Sequence, residues 1–478
     1  VVMNPFRLRR RWYLGSRAPC DVLSNEFRLA PAVSLFCHSD LRVIRRASAL
    51  PHNAKEEVLI LGESTPEFSC PRDSGLFADA LREWLFRASG AFIVVWRSGN
   101  DVRLCNDAAG LSPIVYAHGE VASSPALLES YRTLHRKSFH PPDDWYTGSQ
   151  LPSDAAQALL PNHFLSFPSM VVERFWPVGP VSADQADHAA VSELSAEYLQ
   201  SSLSDVVSSG RAVVSLTGGH DSRVNLAGAR GCLDQARFFT VASRGVKECD
   251  VLIPRELAGR FGFQWDCIDT ARPCSDLEQA YDEIGASLVI GARREIVPYL
   301  SGFAEGNLIH VNGNGGGIAK NFFMARGGVD SRFSVVKAGQ DVIDAVRRAV
   351  LDEFVDLHPS DEHGLDQYLA DFPLELDLDE ALRLAYFEQR CARWMGPGEC
   401  ASSAIFASYS PFSSRYLLSL VARYHQIAAD RGESWHASVI RILWPELHDV
   451  RYCRPRMEFV RMLPLSLART LKRLRRGV

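Results

Sequence analysis

The stretch Ser215-Leu216-Thr217-Gly218-Gly219-His220-Asp221-Ser222-Arg223 concentrates the residue types that phosphate chemistry needs. It follows a short apolar run, RAVVSL, and opens a helical segment, so successive backbone N–H groups and the positive end of a helix can converge on an anion. Adjacent Gly218 and Gly219 permit close approach. Asp221 offers the hard oxygen that magnesium prefers, and Ser222 and Arg223 add donors to phosphate. Arg223 reads equally as a solvated helix residue, and the whole loop as a tight strand-to-helix turn with Asp221 or Ser222 as N-cap. The loop is neither a Walker loop, which needs Gly-Lys-Ser/Thr after a four-residue gap, nor a spaced dinucleotide fingerprint.

The elements that must position this loop are legible around it. Val191, Leu194, Tyr198 and Leu199 share one face of a long helix running toward Ser208. RAVVSL, ARFFTVAS and FQWDCID read as buried strands separated by the helices VNLAGAR and ECDVLIPRELAGRFG. This alternation predicts parallel strands with right-handed crossovers and a ligand at their carboxyl ends, where the Gly-rich loop falls. Beyond Gly285 the pattern is mostly helical apart from the strand NLIHVNG. Upstream, GAFIVVWRSGNDVRLCND reads as a β-hairpin, a helix start is expected near Ser124 with Pro125 in its first turn, and LLPNHFLSFPSMVVERFWPVGP closes the half with another hairpin.

The 478 residues, 46% hydrophobic and 23% charged, suit two or three units that each bury a core, and exclude a coiled coil or a collagen-like fibre. A formal charge of −5 gives no bulk reason to bind nucleic acid or an anionic membrane. Eleven scattered cysteines without a CxxC pair argue against a metal cluster or a disulfide framework. No apolar run has the length of a membrane span or a signal peptide, so a cytoplasmic protein without stable membrane insertion is expected.

At TGGHDS the sequence resembles the asparagine synthetase-like amide ligases, whose SGGxDS pyrophosphate loop is matched with Thr217 in place of the first Ser. Phe239-Thr240-Val241 stands where that family's second strand holds adenine by its backbone, and Glu248-Cys249-Asp250 resembles its E-x-D element. GAFIVVW, Asn106-Asp107 with Gly110, Pro113-Ile114-Val115-Tyr116 and ASSPALL resemble the glutaminase-like domain of the same enzymes. The resemblance implies an α/β chain in two parts. Residues 1–180 would form an Ntn-hydrolase-like α+β sandwich, a degenerate glutaminase. Residues 181–478 would form an adenine-nucleotide α-hydrolase-like parallel sheet with a helical cap. It also implies ATP and Mg2+, with Ser215, Leu216, Thr217, Gly218, Gly219, Asp221, Ser222, Arg223, Phe239, Thr240, Val241, Gly313, Gly315, Gly316 and Lys320 on the nucleotide.

Two departures redirect the reading. The family's glutaminases use an amino-terminal Cys, whereas this sequence begins Val1-Val2-Met3-Asn4 and its first Cys is Cys20. Unless Cys20 is exposed by removal of what precedes it, no glutaminase of that type is expected, and Cys20 and Cys37 read as buried thiols. This resembles β-lactam synthetases and lasso-peptide cyclases, which join an amine already in the substrate to the activated carboxylate. Second, the family's G-x-G-x-D-E loop corresponds to Asn312-Gly313-Asn314-Gly315-Gly316-Gly317-Ile318-Ala319-Lys320, with the carboxylates falling on Gly317 and Ile318. Either Asp250 joins Asp221 as a metal ligand, or Lys320 replaces part of the metal's charge, or the activity has decayed. The family's closing lysine is also missing from RGESWHASVIRILWPEL, leaving Arg431, His436 and Arg441 as candidates for its role. Tyr386 and Glu388 are the candidate pair that deprotonates the attacking amine, as in β-lactam synthetases.

The expected activity is ATP-dependent amide-bond formation with release of AMP and pyrophosphate, most plausibly macrolactam closure of a lasso-peptide type. The partners would be a peptide or small-molecule carboxylate, a precursor peptide or a protease, and no nucleic acid. The alternatives are an ammonia-dependent amidotransferase acting on a sugar acid or small metabolite, and a non-catalytic binding homologue. The tail from Arg451 carries nine Lys or Arg in 28 residues and reads as a solvated terminal helix or a contact for an acidic partner.

Overall fold

Within the segment 89–98 successive apolar side chains go to opposite destinations, and that alternation organises the first half of the molecule. In this computed structural model residues 9–16, 23–30, 33–47, 56–71, 74–129, 145–182, 186–244, 246–285, 288, 294–325, 339–354, 359–428 and 434–453 are described. Twelve strands come first: β1 (Trp12–Gly15), β2 (Asn25–Ala30), β3 (Val33–Cys37), β4 (Val43–Ala47), β5 (Glu56–Thr65), β6 (Ser89–Ser98), β7 (Asp101–Asn106), β8 (Ile114–Ala117), β9 (Glu120–Ala122), β10 (Gln157–Leu159), β11 (His163–Phe167) and β12 (Val171–Arg174). They form two antiparallel six-stranded sheets, ordered β10-β8-β9-β1-β3-β2 and β12-β11-β7-β6-β5-β4.

Ile93 and Val95 point between the sheets, meeting Leu59, Leu61 and Leu104 of their own sheet and Trp12, Leu14, Leu35 and Ile114 of the other. Phe92, Val94 and Trp96 point the opposite way, onto helix Phe77–Arg87. That helix offers Phe77, Leu81, Trp84 and Leu85, one stripe at helical spacing. The expected β6–β7 hairpin is present, with Ser98 opposite Asp101. The helix expected from Ser124 is a single turn, Pro125–Leu127, with Ser124 Oγ accepting from Ala126 N at 3.3 Å.

The second half is built on a five-stranded parallel sheet of β13 (Ala212–Ser215), β14 (Arg237–Val241), β15 (Trp265–Ile268), β16 (Ile309–Val311) and β17 (Ala407–Tyr409). Its order is β15-β14-β13-β16-β17. Val213 and Val214 are buried on opposite faces, as a sheet covered by helices on both sides requires. The chain grows outward from β13 through β14 to β15, then returns to the other side of β13 as β16. The strand order therefore reverses between β13 and β16, and the loops leaving their carboxyl ends open a crevice there. The protein is thus a mixed α/β molecule with antiparallel sheets and a parallel sheet.

Buried arginines tie the two halves together. Arg415, fully buried at the start of helix Arg415–Ala428, donates to Asn162 Oδ1 at 2.7 Å, Leu85 O at 2.8 Å and Asn106 O. Ahead of β1, Arg10 donates to Ser403 O and Arg11 to Cys400 O. The scattered cysteines do not all remain apart as the sequence suggested: Cys249 and Cys453 are joined in a disulfide across 204 residues. Among the described residues no helix is long and apolar enough to cross a membrane. The basic tail beyond residue 453 lies outside the described residues.

Candidate functional site

Strand β13 delivers Ser215 and Thr217 to the crevice, and β16 delivers Asn312, Gly313 and Asn314 beside them. Gly219, Asp221 and Ser222 complete that wall. Tyr281, Ile296, Leu300, His310, Glu399, Ser402 and Phe406 close a cleft of about 340 Å³, the size of a small-molecule pocket. Helix His220–Gly228 starts with Gly219 as N-cap, not with Asp221 or Ser222, and has no side-chain cap. Ser222 instead ties the loop back on itself, its Oγ accepting from Thr217 N and donating to Thr217 O, each at 3.1 Å.

Asp221 is the charged centre of the cleft. His436 Nε2 lies 2.7 Å from its Oδ1, and Lys320 Nζ lies 3.2 Å from Oδ2 and 3.4 Å from Oδ1. An ionised carboxylate only accepts, so Nε2 carries the proton. Burial raises the carboxyl's affinity for a proton, but the hydrogen bond and charge of His436, together with Lys320, outweigh it and hold Asp221 well below the usual carboxylate range. Next to it His220 is lowered to about 4 by burial and by the charges of His436 and Lys320.

Lys320 reaches Asp221 because the short turn Gly316–Lys320 is held from three directions. Arg383, itself fixed on Asp379 at 2.6 and 2.9 Å, donates to Ile318 O. His425 Nε2 meets Ala319 O at 2.9 Å. Asn321, in the left-handed region at φ 40°, donates to Asp379 Oδ1 at 2.7 Å. The backbone passes so close to Asp221 that a Cβ at 316 would stand 2.7 Å from Asp221 Cγ, which forces a shift, and one at 313 would stand a tight 3.1 Å from Asp221 Cβ. His436 comes from helix Trp435–Leu443, capped by Ser434 Oγ on Ala437 N and anchored by buried Trp435 on Ser195 Oγ.

The predicted residues divide into those the fold gathers and those it sends elsewhere. Ser215, Thr217, Gly219, Asp221, Ser222 and Gly313 line the cleft, and Lys320 and His436 stand on Asp221. Leu216 is core, and Gly315 packs against Phe387 and Phe412. Phe239, Thr240 and Val241 end β14, bonded along β15, with Thr240 Oγ1 donating to Leu216 O; they are not among the cleft-lining residues. Arg223, expected on phosphate, is instead wholly buried, donating to Leu447 O, Val450 O and Arg451 O beneath the Tyr452 ring.

Tyr386 and Glu388 do not form the expected pair. Residues two apart on a helix point apart, and here Tyr386 packs on Phe322 with its hydroxyl against Gly317. Glu388 is fully buried, taking two bonds from Arg174 at 2.7 and 3.1 Å and one from Asn162 at 2.8 Å. Burial, then the charge of Glu388, pushes the phenol of Tyr368 well up. Asp250 Oδ1 accepts from Gly218 N at 3.1 Å and lies beside Cys249 and Cys453, while Cys453 N donates to Gly218 O at 2.9 Å. Arg441 is exposed, and Arg431 lies outside the described residues.

Sequence reasoning missed Glu399, which lines the cleft and accepts from Asn314 Nδ2 at 2.6 Å, Asn312 Nδ2 at 3.3 Å and Ser408 Oγ at 2.5 Å. Its place in a Gly-Pro-Gly-Glu start of a helix gives no local signal of that role. Magnesium does not fit this donor set. The ion wants an octahedron of oxygens with one or two free carboxylates, yet Asp221 is engaged by two basic groups, Glu399 by three donors, and Asp250 by the loop amide. Within the loop, Thr217 N donates to Ser222 Oγ, Gly218 N to Asp250 Oδ1 and Gly219 N to Thr217 Oγ1, and Lys320 is the cation that faces it across Asp221.

No protein-family model matches this chain, and no curated protein matches it. Among solved structures, the glutamine phosphoribosylpyrophosphate (PRPP) amidotransferase of B. subtilis, complexed with ADP and GMP, matches over 66% of this chain and 72% of its own. The identity is 11% and the TM-score 0.21.

Proposed function

We propose that the protein is an ATP-dependent amide-forming ligase of the asparagine synthetase-like type. A substrate carboxylate would attack the α-phosphorus of ATP, pyrophosphate would leave toward the Thr217–Ser222 loop, and an amine would then displace AMP from the acyl group. The observation that carries this reading is the cleft at the reversal of the parallel sheet, where a Gly-rich loop faces Lys320 and His436 gathered on Asp221. In this reading Lys320 acts as a point cation on phosphate and His436 as the basic group that stands in for the closing lysine.

The amine does not come from glutamine in this proposal. Cys37 and Cys105 are buried and pushed up to about 12, so neither is a thiolate near neutral pH, and Cys20 lies outside the described residues. The product in this proposal is an amide closed within one substrate, a macrolactam on a peptide. Incubation with ATP and a candidate peptide should release AMP and pyrophosphate without glutamine and lighten the peptide by one water on mass spectrometry. Turnover only with added ammonia would replace cyclisation by amidation.

A second reading, a nucleotide-binding protein without turnover, is favoured by the bond from Gly218 N to Asp250, which occupies a loop amide with an internal carboxylate. ATP binding with no AMP formed across carboxylate substrates would decide for it.

A further inference from the structure

We propose that the cleft takes its polyphosphate free of divalent metal, with Lys320 turning from Asp221 onto the phosphate while His436 remains on the carboxylate. This rests on reading the cleft as a nucleotide site, and goes beyond it by replacing the metal ion with the chain's own cations.

Three independent placements carry it. The acid that would complete a magnesium site is not merely absent from position 317: its space is taken. A Cβ there would run into the Tyr386 hydroxyl, and Tyr386 cannot step aside because it is 3% exposed and packed between Phe322 and Phe387 at 5.0 and 6.3 Å. The second acid, Asp250, is not among the cleft-lining residues and accepts from Gly218 N beside the Cys249–Cys453 disulfide. Of the two acids that line the cleft, Glu399 accepts from Asn312, Asn314 and Ser408, and Asp221 is bracketed by two basic side chains where a metal would bring its own positive charge.

Lys320 also has the freedom the role demands. Its side chain is 45% exposed while the turn beneath it is pinned through Ile318, Ala319 and Asn321, so the ammonium can move and its base cannot. A flexible point charge of this kind binds phosphate oxygen without fixed geometry. His436, by contrast, is 1% exposed and stays where it is.

Titration calorimetry of the full chain with ATP, and separately with inorganic pyrophosphate, in EDTA and then in excess magnesium chloride, tests this. The expected result is the same dissociation constant in both buffers within about threefold, and a loss of roughly tenfold or more for Lys320→Met in EDTA, the size of one charge-assisted bond. Lys320→Arg, which keeps the charge, should recover most of that loss. Binding at least tenfold tighter with magnesium would overturn the metal-free site and leave the nucleotide reading standing. No binding of either probe in either buffer would remove the nucleotide reading itself, and this inference with it.

Discussion

His436 Nε2 and Asp221 Oδ1 meet at 2.7 Å across 215 residues of sequence, one from helix Trp435–Leu443 and the other from the first turn of the helix that follows the central strand. With Lys320 on its other oxygen, the carboxylate, itself part of the cleft lining, holds two basic groups. Asp221→Asn removes what both are bound to, at a cost of about 1–3 kcal/mol at pH 7. Because the folded carboxyl titrates below its unfolded value, the stabilisation is complete above about pH 4 and is lost as pH falls below it. Urea unfolding should therefore separate wild type from Asp221→Asn at pH 7 and bring them together toward pH 2.

Glu388 and Arg174 make the corresponding pair in the interior between the halves. Among the described residues, Glu388→Gln leaves Arg174 with Asp371, 3.7 Å away and half exposed, as its carboxylate partner. Removing one member of a buried pair costs about 3–5 kcal/mol. Denaturant midpoints should fall accordingly, while ATP affinity measured on the folded fraction stays within about twofold, since Glu388 does not touch the cleft. A large selective loss of turnover with stability intact would return Glu388 to catalysis.

Gly317→Asp introduces a carboxylate into the turn that passes Asp221, yet it should not create a magnesium site. The new side chain meets the Tyr386 hydroxyl, and overpacking of this kind costs about 1–3 kcal/mol. Thermal unfolding should show the loss, and added magnesium should not restore it.

The Cys249–Cys453 disulfide fastens the segment at 451–453 beside the Thr217–Ser222 loop, where Cys453 N also bonds Gly218 O and Tyr452 stacks on His220 at 4.3 Å. Closing a loop of this length stabilises by about 2–5 kcal/mol. Dithiothreitol should lower the melting temperature of wild type and have no further effect on Cys249→Ser.

Much of this was legible before any coordinates. A continuous apolar run, a Ser-Gly-Asn turn and an alternating Val-Arg-Leu-Cys segment set the β6–β7 hairpin, and strand-helix alternation set β13, β14 and β15 in a parallel sheet with Thr217–Ser222 at its carboxyl end. Both rest on local patterning, which a sequence carries directly. Arg223 was misread because its burial is imposed by residues 447–451, more than 220 positions away. Glu388 was misread for the same reason, since Arg174 lies 214 positions upstream. The pairing of Cys249 with Cys453 and the contact of Tyr386 with Gly317 are equally products of tertiary packing.

The central claim is that the Asp221 cleft holds nucleotide phosphate. Enzyme KM values lie at about 1 µM–1 mM, so calorimetry with ATP carried to roughly 10 mM covers the range. Saturable binding that weakens about tenfold or more in Lys320→Met is the result this structure predicts. Absence of any saturable heat with the correctly folded wild-type chain would contradict it.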